Sequence, residues 1–173
     1  MRARTRAVQT GADRDRAPKA KQDRARPRAP ENPKVDAPAG PGYTAAMTAF
    51  LLVFFGAGLG GAARHAVNLG CARWCGPDFP WGTTAVNVAG SFAMGLLAGW
   101  LALRAGEGLA QPAKLFLGVG VLGGFTTFSA FSLDAILLWE RGAAMDAALY
   151  VGGSVAGSIA ALAAGLFLAR SLA

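Results

Sequence analysis

The chain has 173 residues, enough for one domain. Apolar residues make up 53% and charged residues only 16%, against roughly 25% in an ordinary soluble domain, so lipid rather than water is the expected solvent. The net charge of +7 sits almost wholly in residues 1–46, with eleven Lys/Arg and five Asp/Glu, and leaves +1 for the rest. The basic isoelectric point therefore describes one end of the chain and gives no ground for a nucleic-acid-binding reading.

Residues 1–46 are rich in Arg, Ala, Pro and Asp and show no apolar periodicity. Such a segment cannot bury enough surface to offset its ordering entropy and is expected to be a disordered basic N-terminal extension. It lacks the apolar core of a signal peptide, and its five acids set it apart from a transit peptide. An all-α membrane domain of four transmembrane helices is expected over residues 47–173.

The charges mark out the four spans. The first is apolar from about residue 45 to 63 and ends in Gly60-Gly61-Ala62-Ala63-Arg64-His65. The second lies between Asp78 and Arg104, with 25 uncharged residues. The third has 19 between Lys114 and Asp134, and extends to Trp139 if irregular or tilted. The fourth has 23 between Asp146 and Arg170. A bilayer core of about 30 Å needs roughly 20 apolar residues in a helix, so all four suffice. The connections, near 70–80, 105–112 and 140–146, are short, which makes successive helices antiparallel.

Trp74, Trp81, Trp100 and Trp139 all fall near segment ends, where amphipathic rings favour the membrane interface. Glycine pairs four apart, Gly56/Gly60, Gly95/Gly99 and Gly153/Gly157, permit close helix approach in lipid and together point to a tight bundle or dimer. Arg104, Lys114 and Arg170 would share the N-terminal side of the membrane. Arg73, Arg141 and Arg64 would share the other. That balance encodes no orientation, so two oppositely inserted copies would be able to pair. Cys71 and Cys75, with His65 the only histidine, are too few for a zinc site and are expected in a loop.

Four polar features interrupt the apolar segments. Arg64 either snorkels to headgroups or serves a polar path. Asn87, about six residues into the second helix, either glues helices together or lines a path. In Gly123-Gly124-Phe125-Thr126-Thr127-Phe128-Ser129-Ala130-Phe131, glycines and β-branched threonines make poor helix, so the third helix is expected to break there. A break at bilayer depth exposes backbone N–H groups that attract anions and carbonyls that attract cations. Phe128 and Phe131 share a helical face and offer ring edges of partial positive charge, or else meet lipid. Tyr150, Ser154 and Ser158 form one hydroxyl stripe on the fourth helix, able to guide an ion or to bond back to the helix.

GTTAVNVAGSF and GGFTTFSAF, with GGAARH before them, resemble the CrcB-type (Fluc) fluoride channel family across residues 47–173. The resemblance implies a dual-topology antiparallel homodimer in the bacterial inner membrane, multi-pass, with two pores. It implies that fluoride leaves the cell passively, relieving toxicity, with no catalysis. Asn87, Phe128, Ser129, Phe131, Tyr150, Ser154 and Ser158 would line the fluoride pathway, and Arg64 the vestibule. The carbonyls of Gly123 and Thr126 would hold a structural Na⁺ at the dimer interface. Asp134 would match a family glutamate. The chain departs from the family at Ala130, where threonine is usual, and at His65, where tyrosine is common.

The extension is a further departure. Either translation begins at Met47, or the basic extension fixes the N-terminus inside and the chain needs an oppositely oriented homologue as heterodimer partner. The rival reading is a small multidrug-type dual-topology transporter. That chemistry requires an intramembrane acid for proton exchange, and the first helix has none.

Overall fold

The computed structural model describes residues 42–103 and 107–172. Helices account for nearly all of them: α1 Tyr43–Cys75, α2 Trp81–Leu103, α3 Glu107–Ala113, a π-helical stretch Lys114–Leu122, α4 Gly123–Phe125, α5 Phe128–Glu140 and α6 Ala144–Ser171. Among the described residues, four spans are long and apolar enough to cross a membrane: Tyr43–Cys75, Trp81–Leu103, Gly108–Glu140 and Ala144–Ser171. The expected count of four therefore holds. Residues 1–41 of the expected extension 1–46, and Arg104, lie outside the described residues, while residues 43–46 belong to α1 rather than to a disordered segment.

The first span differs from expectation at both ends. It starts at Tyr43 rather than Met47, where the Gly42 carbonyl accepts from the Ala45 and Ala46 N–H groups. It also runs unbroken past Arg64 to Cys75. Residues 61–75 hold no proline, and Ala, Arg and Leu favour helix, so a charge alone does not end it. Arg64 is thus mid-helix and half-buried, and Cys71 and Cys75 are free thiols one turn apart on α1, not loop residues. The chain leaves the helix at Gly76, whose φ of 82° is a left-handed backbone that only glycine adopts without strain.

Packing is set by backbone approach more than by large side chains. A Cβ on Gly56 would lie 2.6 Å from the Phe116 carbonyl oxygen, and one on Gly124 would lie 2.5 Å from that of Ala57. Added Cβ atoms at Gly95 and Gly165 would likewise strike the carbonyls of Leu162 and Phe92. Thus α1 seats the third span and α2 seats α6. The Gly153/Gly157 pair plays no such part, since nothing approaches Gly153 within 4 Å. Trp74, Trp81, Trp100 and Trp139 are all substantially exposed, as rings at an interface would be.

The third span is irregular before it breaks. Pro112 lacks an N–H and sits two residues ahead of the π-helical stretch. Gly118 and Gly120 within that stretch carry no side chains to resist widening, and the Gly123 N–H bonds to the Gly118 carbonyl five residues back.

Candidate functional site: the broken third span and its groove

The break falls at the threonines, not at the glycines. Gly123 and Gly124 remain helical, while Thr126 (φ −80°, ψ 157°) and Thr127 (φ −151°, ψ 123°) are extended. Extended backbone suits β-branched residues. Thr126 closes the first half, its N–H and Oγ1 both donating to the Leu122 carbonyl at 3.0 Å. Thr127 opens α5 as its N-cap, its Oγ1 accepting from the Ala130 N–H at 3.2 Å.

Asn87 on α2 patches the gap. Its Oδ1 accepts from the Thr127 N–H at 2.8 Å, and its Nδ2 donates to the Thr127 carbonyl at 3.0 Å. One side-chain amide therefore replaces both helical partners of one peptide residue. This pairing uses one of the two Nδ2 protons and leaves the other for a ligand. In a continuous helix the Thr127 N–H would have bonded to the Gly123 carbonyl. Turning it to Asn87 frees that carbonyl, and the amide joins α2 to the break.

A groove of 270 Å³ runs beside the break. Asn87, Thr126, Phe128, Phe131, Ser154 and Ser158 line it, together with Ser91 and Thr127. The Phe128 and Phe131 centroids are 5.6 Å apart with planes tilted 40°. Phe131 is buried, whereas Phe128 is 77% exposed and projects from the protomer. Tyr150 lies one turn from Ser154, buried, with its ring centroid 5.2 Å from that of Phe131. The hydroxyl stripe therefore faces inward. Thr84 on α2 extends it, its Oγ1 lying 3.3 Å from Ser154 Oγ.

Ser129 and Tyr150, two of the expected pathway residues, and Arg64, the expected vestibule residue, lie outside this lining. Ser129 is exposed, with its Oγ 3.3 Å from Thr127 Oγ1, and does not line the groove. Arg64 does not line it either. Gly123 is exposed on the outer side of the break.

The sequence reading passed over Thr83. Its Oγ1 donates to Asp134 Oδ2 at 2.7 Å, and the Tyr150 hydroxyl donates to the same oxygen at 3.2 Å. Asp134 thus ties α5 to α2 and α6. The signal was present: a half-buried carboxylate in an apolar span requires donors, and Thr83 is one turn before Asn87.

These features define a four-span membrane protein with a broken helix beside a groove of hydroxyl, amide and aromatic groups. The family model described as CrcB-like protein, Camphor Resistance (CrcB), matches residues 51–166. Curated relatives include the Fluoride-specific ion channel FluC of Methylobacterium nodulans, 61% identical over 69% of this chain and 94% of its own length. Others are Fluoride-specific ion channel FluC 2 of Nitrobacter hamburgensis, 58% identical over 71% and 98%, and FluC of Mesorhizobium japonicum, 54% identical over 70% and 96%. The chain belongs to the CrcB-like family.

Proposed function

We propose that the protein is a fluoride-selective ion channel, not an enzyme, and that it lets fluoride leave the cell passively and so relieves fluoride toxicity. The observation that carries this reading is the groove. Asn87, Ser154 and Ser158 set amide and hydroxyl groups beside the Phe131 ring along one groove in an otherwise apolar bundle. Donors and ring edges at that spacing replace the hydration of a small anion, while a larger halide fits them poorly. The names of the relatives favour the same ion, and they do not favour a multidrug transporter.

Hydrogen fluoride crosses membranes as a neutral molecule and ionises inside the cell. A pore for the anion then lets fluoride run down its electrochemical gradient. No covalent bond changes, so nothing beyond the pore lining is required.

The working unit in this reading is a dual-topology antiparallel homodimer in the bacterial inner membrane. Phe128 supports it, because a ring so exposed gains an aromatic or polar neighbour from a second copy. An oppositely oriented homologue would serve equally. Na⁺ belongs to the same reading. The Gly123 carbonyl has lost its helical donor to Asn87, and Thr126 is extended, so hard oxygen donors are available at the break. Unwound carbonyls of this kind suit Na⁺, and Gly123 and Thr126 from two copies would hold it. Exchanging Na⁺ for a large organic cation is expected to weaken the dimer in detergent, read by light scattering; an unchanged mass would count against the ion.

The function itself is tested by efflux from liposomes holding the purified chain. Fluoride efflux at least a hundredfold faster than chloride efflux is expected. Equal rates for the two halides, or no flux, would refute the channel reading.

A further inference from the structure

Five hydroxyl side chains line the groove beside the break: Ser91, Thr126, Thr127, Ser154 and Ser158. Three of them are already engaged. Thr126 Oγ1 donates to the Leu122 carbonyl, Thr127 Oγ1 accepts from the Ala130 N–H, and Ser154 Oγ lies 3.3 Å from Thr84 Oγ1. The Ser91 and Ser158 hydroxyls have no hydrogen-bond partner among the described residues.

A serine or threonine in an apolar helix ordinarily places its proton on the carbonyl one turn back. Thr48, Thr84, Thr126 and Ser132 do so, at the carbonyls of Thr44, Pro80, Leu122 and Phe128. Ser91 and Ser158 lie inside long helices, with the Asn87 and Ser154 carbonyls one turn back, yet neither hydroxyl takes that bond. A polar group left unpaired at bilayer depth is costly unless something in the cavity takes its proton.

Asn87 and Ser91, four residues apart, share one face of α2. Asn87 Nδ2 gives one proton to the Thr127 carbonyl and keeps a second. The helices α2 and α6 run in the same direction, from the Thr84–Ser154 contact to the close approach of Gly99 and Ala169. A Cβ on Gly157 would lie 3.4 Å from Val88 Cγ2, which sets Ser158 between the levels of Asn87 and Ser91. Past these residues the donors stop: residues 92–103 of α2 and 159–169 of α6 hold no hydroxyl, amide or charged side chain. No acidic side chain lines the groove.

We propose that Ser91 is a ligand of the transported anion, and that with Ser158 and the second Nδ2 proton of Asn87 it forms a resting site for one fluoride where the donors of the protomer end. The inference rests on the channel reading. Three free protons with no carboxylate among them suit a small acceptor that has shed its water. An anion here has donors behind it and only apolar side chains ahead along α2 and α6. It therefore pauses at this point before leaving the protomer's own groove.

The test uses full-length chains in liposomes. Ser91→Ala removes the hydroxyl and little else, and alanine favours helix. Initial fluoride efflux is expected to fall at least fivefold, with elution profile and melting temperature unchanged, because the lost proton held nothing in the fold. Ser91→Thr returns a hydroxyl and is expected to keep at least half the wild-type rate. Thr48→Ala, which removes a hydroxyl bonded back to its own helix, is expected to keep the wild-type rate. Four results would each overturn the inference: wild-type efflux from Ser91→Ala, a threonine chain as slow as the alanine chain, a Ser91→Ala chain that no longer folds, or an equal fall in Thr48→Ala. All four leave the channel reading standing as long as the unaltered chain conducts fluoride; absence of efflux from that chain overturns both.

Discussion

The contact between α2 and α6 and the third span solve one packing problem in opposite ways. Where α2 meets α6, both helices are continuous, and Gly95, Gly99 and Gly165 let each backbone seat against the other. The third span seats on α1 through the same device, at Gly120 and Gly124, yet its chain still breaks two residues later. Glycine therefore explains the close approach and does not explain the break. The difference lies in what faces each region. Thr127 has Asn87 to take over its backbone bonds, and Gly90 leaves room beneath Thr126 and Phe125. A break survives at bilayer depth only when a neighbour repairs it, and here α2 supplies the repair.

That contrast can be broken most severely at a glycine. Gly60→Leu would drive a side chain into the Val121 carbonyl and the Phe125 N–H. Loss of nearly all monodisperse protein is expected by size-exclusion chromatography, and normal yield would show that α1 is not seated as described. Asn87→Ala comes next. It leaves the Thr127 N–H and carbonyl unpaired, at about 1–3 kcal/mol for each orphaned group. Fluoride efflux is expected to vanish and the melting temperature to drop; wild-type efflux would separate the amide from the path.

Smaller effects sharpen the same distinction. Thr127→Val keeps the β-branch and the extended backbone but removes the cap on Ala130. A cost of about 1 kcal/mol is expected in thermal or denaturant unfolding. A much larger cost would mean that the hydroxyl does more than cap. Gly153→Ala is expected to change neither yield nor stability beyond about 0.5 kcal/mol, because the site is open and alanine favours helix. Clear destabilisation would show that the glycine pairs are equivalent after all.

The spans were legible because lipid demands long uncharged runs, and charges bracket them in this chain. The groove residues were legible because polar side chains in such runs are rare. Phe128 with Phe131, and Ser154 with Ser158, share faces as the spacing implied, while the resemblance alone implied that they meet Asn87 in one groove. The length of α1 was not legible, since Arg64 and Arg73 read as an end while the backbone has no reason to stop before Gly76. The break was legible within residues 123–131, but not that the two glycines stay helical, because glycine's low helix propensity is overridden where its missing side chain is what lets two helices touch. The pairing of Asn87 with Thr127 joins residues forty apart in sequence, and no local pattern encodes it. Thr83 escaped notice because one hydroxyl is unremarkable until Asp134 and Tyr150 are placed around it.

Phe128 offers the most direct test that the broken span carries the ion. At 77% exposure within the protomer it supports little of the protomer's own packing, so Phe128→Ile leaves the fold almost untouched. The measurement is the initial fluoride efflux rate from liposomes, at equal amounts of folded wild-type and Phe128→Ile protein. A fall of at least a hundredfold with an unchanged elution profile is the expected result. Efflux at the wild-type rate would contradict the assignment of the path to this groove.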